Sequence, residues 1–137
     1  MEAKTYVGQD ETRGTTVARF LRPAALLRAE GVALLLLSVL LYRVNGGGWL
    51  MFGVLLLAPD LSMLGYLAGP RVGAAIYNTF HTYALPALVG ALGMIFASPL
   101  AVAVALIWSA HIGMDRTVGY GLKYPSSFKD THLERVR

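Results

Sequence analysis

Residues 99–118 read PLAVAVALIWSAHIGMDRTV. Twenty helical residues at 1.5 Å each rise about 30 Å, the thickness of the hydrocarbon core of a bilayer. The first twelve positions of this run hold no ionisable group. His111 and Asp115 then follow four residues apart, on one helix face. A charged or imidazole side chain at membrane depth costs from a few to more than about ten kcal/mol. The run therefore predicts a span that carries a functional group near one end.

Three more apolar runs precede it, near 24–42, 49–67 and 73–96. Together they predict an all-α, integral membrane four-helix bundle over residues 23–118, with spans of about 24–42, 49–67, 73–96 and 99–118. The chain is 55% hydrophobic and 15% charged, with a mean hydropathy of +0.54. A soluble domain of this size has too much surface to hide four helices that are apolar all round. Residues 1–22 are polar and without period, and read as a flexible tail rather than a secretory signal. Pro23 suits a first helical turn. Asn45-Gly46-Gly47-Gly48 and Ser98-Pro99 read as turns at one end, and Gly69-Pro70-Arg71 as a turn at the other. Pro86 predicts a kink within the third helix. Gly65, Gly69 and Gly73 are spaced for close helix packing, but the last two also flank the proline turn. Residues 119–137 mix Tyr120, Tyr124 and Phe128 with charges, and are expected to lie as an amphiphilic tail on the cytoplasmic surface, with closure of the bundle mouth left open.

Four spans put both termini on one side. That side carries 11 of the 12 Lys and Arg residues, and the opposite side only Arg43. The positive-inside rule then makes both termini cytoplasmic, in a multi-pass protein of the bacterial inner membrane. Contact with anionic lipid accounts for the net charge of +4. The bilayer is thus the expected partner and nucleic acid is not, while homo-oligomerisation stays open. The absence of cysteine excludes disulfides and iron–sulfur clusters and limits metal ligands to nitrogen and oxygen.

Counting inward from that side places Glu30, Asp60, Asn78, His81, His111 and Asp115 at one depth, about 5–12 Å below the surface. Asn78 and His81 are three apart, another single-face pair. Carboxylates and imidazoles on facing helices build metal sites in bundles. The expected ligands are Asp60, His81, His111 and Asp115, with Asn78, Glu30 and His132 as further ligands or supports. Such a set suits a divalent metal: zinc first, then manganese, iron or magnesium. Glu30 or Asp115 left unligated would serve as general base. Arg71, Arg116 and Lys123 are the expected anion-binding group for a phosphate. The leading function is hydrolysis of a lipid or phosphoester substrate. A proton or metal-ion transporter is a second class. A haem or redox protein with His81 and His111 as axial ligands is a third. A purely structural membrane protein completes the set.

The stretches APDLSMLGYLAGPRVGAAIYNTFHTYALP (58–86), WSAHIGMDRTVGYGLKY (108–124) and FKDTHL (128–133) resemble a family of small bacterial membrane proteins of unknown function. That resemblance covers roughly residues 24–133 and implies a four-helix membrane fold without an activity. Pro59-Asp60, then His81, then His111 with Asp115 more distantly resemble predicted membrane-bound, metal-dependent hydrolases. Those carry two histidines in a short motif where this chain has only His81-Thr82, with Asn78 three residues earlier.

Overall fold

The computed structural model describes residues 22–126 and 129–136. The N-terminal tail expected over 1–22 thus lies, save Arg22, outside the described residues. Among the described residues the chain is all-helical, with no strand: α1 Pro23–Val44, α2 Trp49–Leu56, a 3-10 helix Ala58–Ala68, α3 Pro70–Phe80, α4 Ala84–Ile95, α5 Pro99–Val118 and α6 His132–Arg135. Two segments, Pro23–Val44 and Trp49–Ala68, are long and apolar enough to cross a membrane.

The second apolar run is helical throughout but changes its winding. Pro59 lacks the N–H needed to extend α2, and Asp60 N–H bonds to Leu57 O at 3.2 Å, a three-residue reach. Eleven residues of 3-10 helix follow, where runs beyond about four are uncommon. Three residues per turn aligns side chains at i and i+3. Pro59 and Ser62 are accordingly buried on one line. Gly69, at φ 107°, turns the chain into α3, which packs back antiparallel. A Cβ on Gly73 would overlap the Tyr66 ring and one on Gly65 would press on Ile76. Gly65 and Gly73 are therefore packing points, and Gly69 belongs to the turn.

The third run, expected as one helix over 73–96, is two helices. The chain breaks at residues 81–83, and Pro86 falls in the first turn of α4, where its missing N–H is harmless. It kinks nothing.

Helix α5 is the centre of the assembly. α1 and α4 pack along it, while α2 and the 3-10 helix touch it from another side. Its second half is buried at Ala110, His111, Ile112, Gly113, Asp115 and Arg116. α1 offers a seam one residue wide, Ala24, Gly31 and Ser38 at seven-residue spacing, then Tyr42. The leucines between remain exposed, Leu36 at 64% and Leu40 at 59%. α1 and α5 cross where Gly31 meets Gly113. A Cβ on Gly113 would lie 2.8 Å from both Gly31 O and Leu35 N. Both are backbone atoms and cannot swing aside.

Replacing Gly113 by Ala gains about 1 kcal/mol of helix propensity. Overpacking against backbone costs about 1–3 kcal/mol and is expected to prevail. The unfolding midpoint of Gly113→Ala in a denaturant titration should fall below that of the wild type. An equal or higher midpoint would show that the helices part at no cost.

Candidate metal centre

Three ligand atoms from three separate elements meet at one point. Asp60 Oδ1, on the 3-10 helix, is 3.5 Å from His81 Nε2 and 3.6 Å from His111 Nε2, and the two imidazole nitrogens are 3.2 Å apart. Bonds of about 2.0–2.2 Å in a tetrahedral site give edges of about 3.3–3.6 Å between ligand atoms. The triangle fits one face of such a site. A fourth atom, Asp115 Oδ2, stands 3.7 Å from His81 Nε2 and 3.8 Å from His111 Nε2. The side chains of His81 and His111 are 1% and 0% exposed, that of Asp115 10%, and that of Asp60 37%. The cluster is thus closed on three sides and open at Asp60.

The tautomer of His81 follows from its neighbour. Its Nδ1 lies 2.9 Å from Tyr77 O, and a carbonyl only accepts, so Nδ1 carries the proton and Nε2 presents a lone pair. That lone pair faces the Nε2 of His111. A shared proton or a shared cation relieves the repulsion, and two carboxylates beside them favour the cation. A divalent ion with two carboxylates and two neutral imidazoles is electrically balanced, which limits the penalty of burying charge. His111 Nδ1 is buried with no hydrogen-bond partner.

The helix break sets His81 in place. α3 ends at Phe80, and its last carbonyls need donors. Trp108 Nε1–H donates to Phe80 O at 2.7 Å. Arg116 donates to His81 O and to Tyr120 O, each at 2.9 Å. The negative end of the α3 dipole faces the same region and adds to its attraction for a cation. Tyr77, one turn before His81, stacks on its ring at 3.7 Å and donates its hydroxyl to Asp115 Oδ2 at 3.2 Å.

Of the ten positions singled out from the sequence, the fold brings four together: Asp60, His81, His111 and Asp115. Glu30 is exposed on α1 and Arg71 is exposed at the start of α3, each without a hydrogen bond or ion pair to the cluster. Arg116 donates to two backbone carbonyls and so staples the end of α3 to the start of the tail. Asn78 bonds through its side chain to the backbone of Lys123 and not to the cluster. Its side chain donates to Lys123 O at 2.8 Å and accepts from Lys123 N–H at 2.7 Å. His132 lies in the tail, where its Nδ1 accepts from Leu122 N–H at 2.8 Å. Lys123 is beside the cluster, with Nζ 4.8 Å from the Tyr77 ring centre. Tyr77 and Trp108 escaped notice in the sequence. Their signal is helical spacing, four before His81 and three before His111.

The tail starts at the site itself. Gly119, at φ 102°, ends α5, and Tyr120 N–H bonds to Asp115 O at 2.7 Å, a Schellman-type cap. Lys123 then pairs with Thr131, and Leu133 is buried at 1% exposure. The described part of the tail is folded back on the helices.

Two outcomes test this closure. Asn78→Ala leaves both backbone groups of Lys123 without their partner, each hydrogen bond contributing about 0.5–1.5 kcal/mol. Amide exchange at Lys123 should quicken about tenfold or more, and an unchanged rate would show that the clamp holds nothing. The second concerns pH. Burial, with the Arg116 charge nearby, pulls His132 below the ordinary value of 6.5. Only the neutral ring accepts from Leu122, so its contribution is complete above pH 6.5 and fades as pH falls through the lowered value. Exchange of the Leu122 amide, corrected for its intrinsic pH dependence, should rise on acidification and do so less in His132→Gln.

Residues 24–136 match the family described as domain of unknown function DUF4260. No curated protein and no solved structure matches the chain. The family match covers most of the sequence and contains every member of the His/Asp cluster, so the chain belongs to the DUF4260 family.

Proposed function

We propose that this chain is a multi-pass protein of the bacterial cytoplasmic membrane, both ends inside, that binds a divalent metal and hydrolyses an ester or phosphoester of a membrane-accessible substrate. The observation that carries this reading is the triangle of Asp60 with the buried His81 and His111 at 3.2–3.6 Å. The four-span reading is supported by the apolar surface. Leu67 is 88% exposed, and a monomer in water rarely exposes contiguous apolar area beyond a few hundred Å². It is also supported by the broken helix, because non-helical backbone at membrane depth requires partners inside the protein. Trp108 and Arg116 are such partners.

Asp60, His81 and His111 would hold the ion, with Asp115 as fourth ligand or as the carboxylate that holds a proton at Oδ2. Zinc leads, since two imidazoles with carboxylates suit it better than magnesium. A bound ion of this kind lowers the pKa of water to about 7 and polarises a carbonyl or phosphoryl oxygen. Tyr77 orients Asp115, and Lys123 offers a positive charge beside the cluster for an anionic headgroup. Glu30 is too exposed and unconnected to share the role of base. Bis-histidine haem is a poorer fit. Axial nitrogens across one iron stand about 4 Å apart with the macrocycle between, whereas these face each other at 3.2 Å. An ion path to the outer face would cross a cavity lined by Leu41, Pro86, Ala87 and Met94, with Asn45 and Ser109 its polar side chains.

Elemental analysis of detergent-purified protein is expected to find one divalent ion per chain. His81→Ala, His111→Ala and Asp60→Asn should lose it while remaining helical by circular dichroism. Asp115→Asn should slow release of fatty acid or phosphate from reconstituted lipid about 10²–10⁴-fold. Folded wild type without metal, or variants that load as well as wild type, would overturn the metal centre. A loaded centre without turnover would remove the hydrolase reading alone.

A further inference from the structure

The metal-centre reading has a consequence for the substrate. A cavity of about 210 Å³ lies between α2, the break after α3 and α5, lined by Leu55, Ala58, Pro59, Phe80, Val104 and Trp108. Its lining is almost wholly apolar. Three of these residues adjoin ligands: Pro59 precedes Asp60, Phe80 precedes His81, and Trp108 is one turn before His111. Half of the cavity wall is therefore built from chain neighbours of the cluster. Asp60, which follows the lining residue Pro59, is the ligand with the most open side chain. Val54 and Leu57, beside lining residues in sequence, and Leu61 and Leu100, one turn from Ala58 and Val104, are exposed apolar side chains, which the proposed topology covers with hydrocarbon.

We infer that this groove holds part of one acyl chain of a bilayer lipid and so presents the ester or phosphoester of the headgroup to the His/Asp centre. The volume sets the occupant. It is below the roughly 300–1,000 Å³ of pockets that enclose a whole drug-sized ligand, so it grips a segment of chain and leaves the rest in the membrane. The lining sets the chemistry. The indole N–H of Trp108 is spent on Phe80 O, so the groove offers the chain only apolar surface. Substrate then enters sideways from the bilayer rather than through the tail-covered mouth. This inference rests on the metal centre proposed above and adds the substrate class and its route of entry.

Trp108 lines the groove and Trp49 is the other tryptophan, so Trp49→Phe leaves a single fluorophore at the proposed site. The probe is a lysophosphatidylglycerol whose acyl chain carries two bromine atoms, which quench tryptophan on contact. It is titrated into the full chain in unbrominated detergent, with metal measured on the same samples. Saturable quenching is expected, tighter with zinc bound than after chelation. Val104→Phe fills the groove. Losing burial of about two methylenes weakens half-saturation about tenfold while metal content stays at the wild-type level. Ala58→Phe, at an exposed position, blocks the rim and should do the same if Val104→Phe fails to fold. Non-saturable quenching, or quenching equal in wild type and blocked variants, in metal-loaded protein overturns the groove and leaves the centre standing. Saturable quenching unaffected by metal overturns the link between groove and centre. Protein that binds no zinc at all overturns the metal reading itself.

Discussion

A helix that stops among apolar side chains must find donors for its last carbonyls, and this requirement organises the whole structure. α3 ends at Phe80, and the carbonyls of Phe80 and His81 are taken by Trp108 and Arg116. The bond to His81 O is buried, and leaving such a carbonyl unpaired costs about 1–3 kcal/mol, so the break is favoured while α5 stays in register. α5 also carries His111 and Asp115. One helix therefore repairs the break and completes the cluster that the break exposes. The same constraint explains why Tyr77 and His81 share a face: they are the last full turn of α3, held by stacking and by the His81 bond to Tyr77 O.

Around this joint the fold trades flexibility for placement. The glycine crossing of α1 and α5 lets Gly113, between the two α5 members of the cluster, sit directly on the backbone of α1. The tightly wound 3-10 segment brings Asp60 to the same point from the other side. The tail leaves α5 through the backbone of Asp115 and is pinned by Asn78. Each device is local and modest in energy. Together they hold two imidazoles and two carboxylates within 3.8 Å of one another's partners, which without a counter-charge would be costly to bury.

Much of this was legible from residue order. Helical class followed from the apolar runs, and the meeting of Asp60, His81, His111 and Asp115 followed from a shared depth. Glu30 and Asn78 count to the same height, yet Glu30 is exposed without a bond to the cluster and Asn78 clamps Lys123. Counting at 1.5 Å per residue gives height along a helix axis, but not direction around it. Direction shifts with winding, and two of the runs change winding or stop, at Leu57 and at His81. The charge of Arg116 is visible in sequence, but the two backbone carbonyls it bonds are not. His132 looked like a distant support because nothing local reveals that Leu122 N–H would claim its ring nitrogen.

The sequence by itself determined the helical class, the lengths of the apolar runs, the positions of the polar groups along them and the nitrogen and oxygen character of any ligands. These are additive properties of residues in order. Only the tertiary structure decided that the third run is two helices, that the second rewinds as 3-10, and which polar groups face one another. Those outcomes depend on packing between distant segments, on Gly113 against Gly31 and on Arg116 against the end of α3, and no local count contains them.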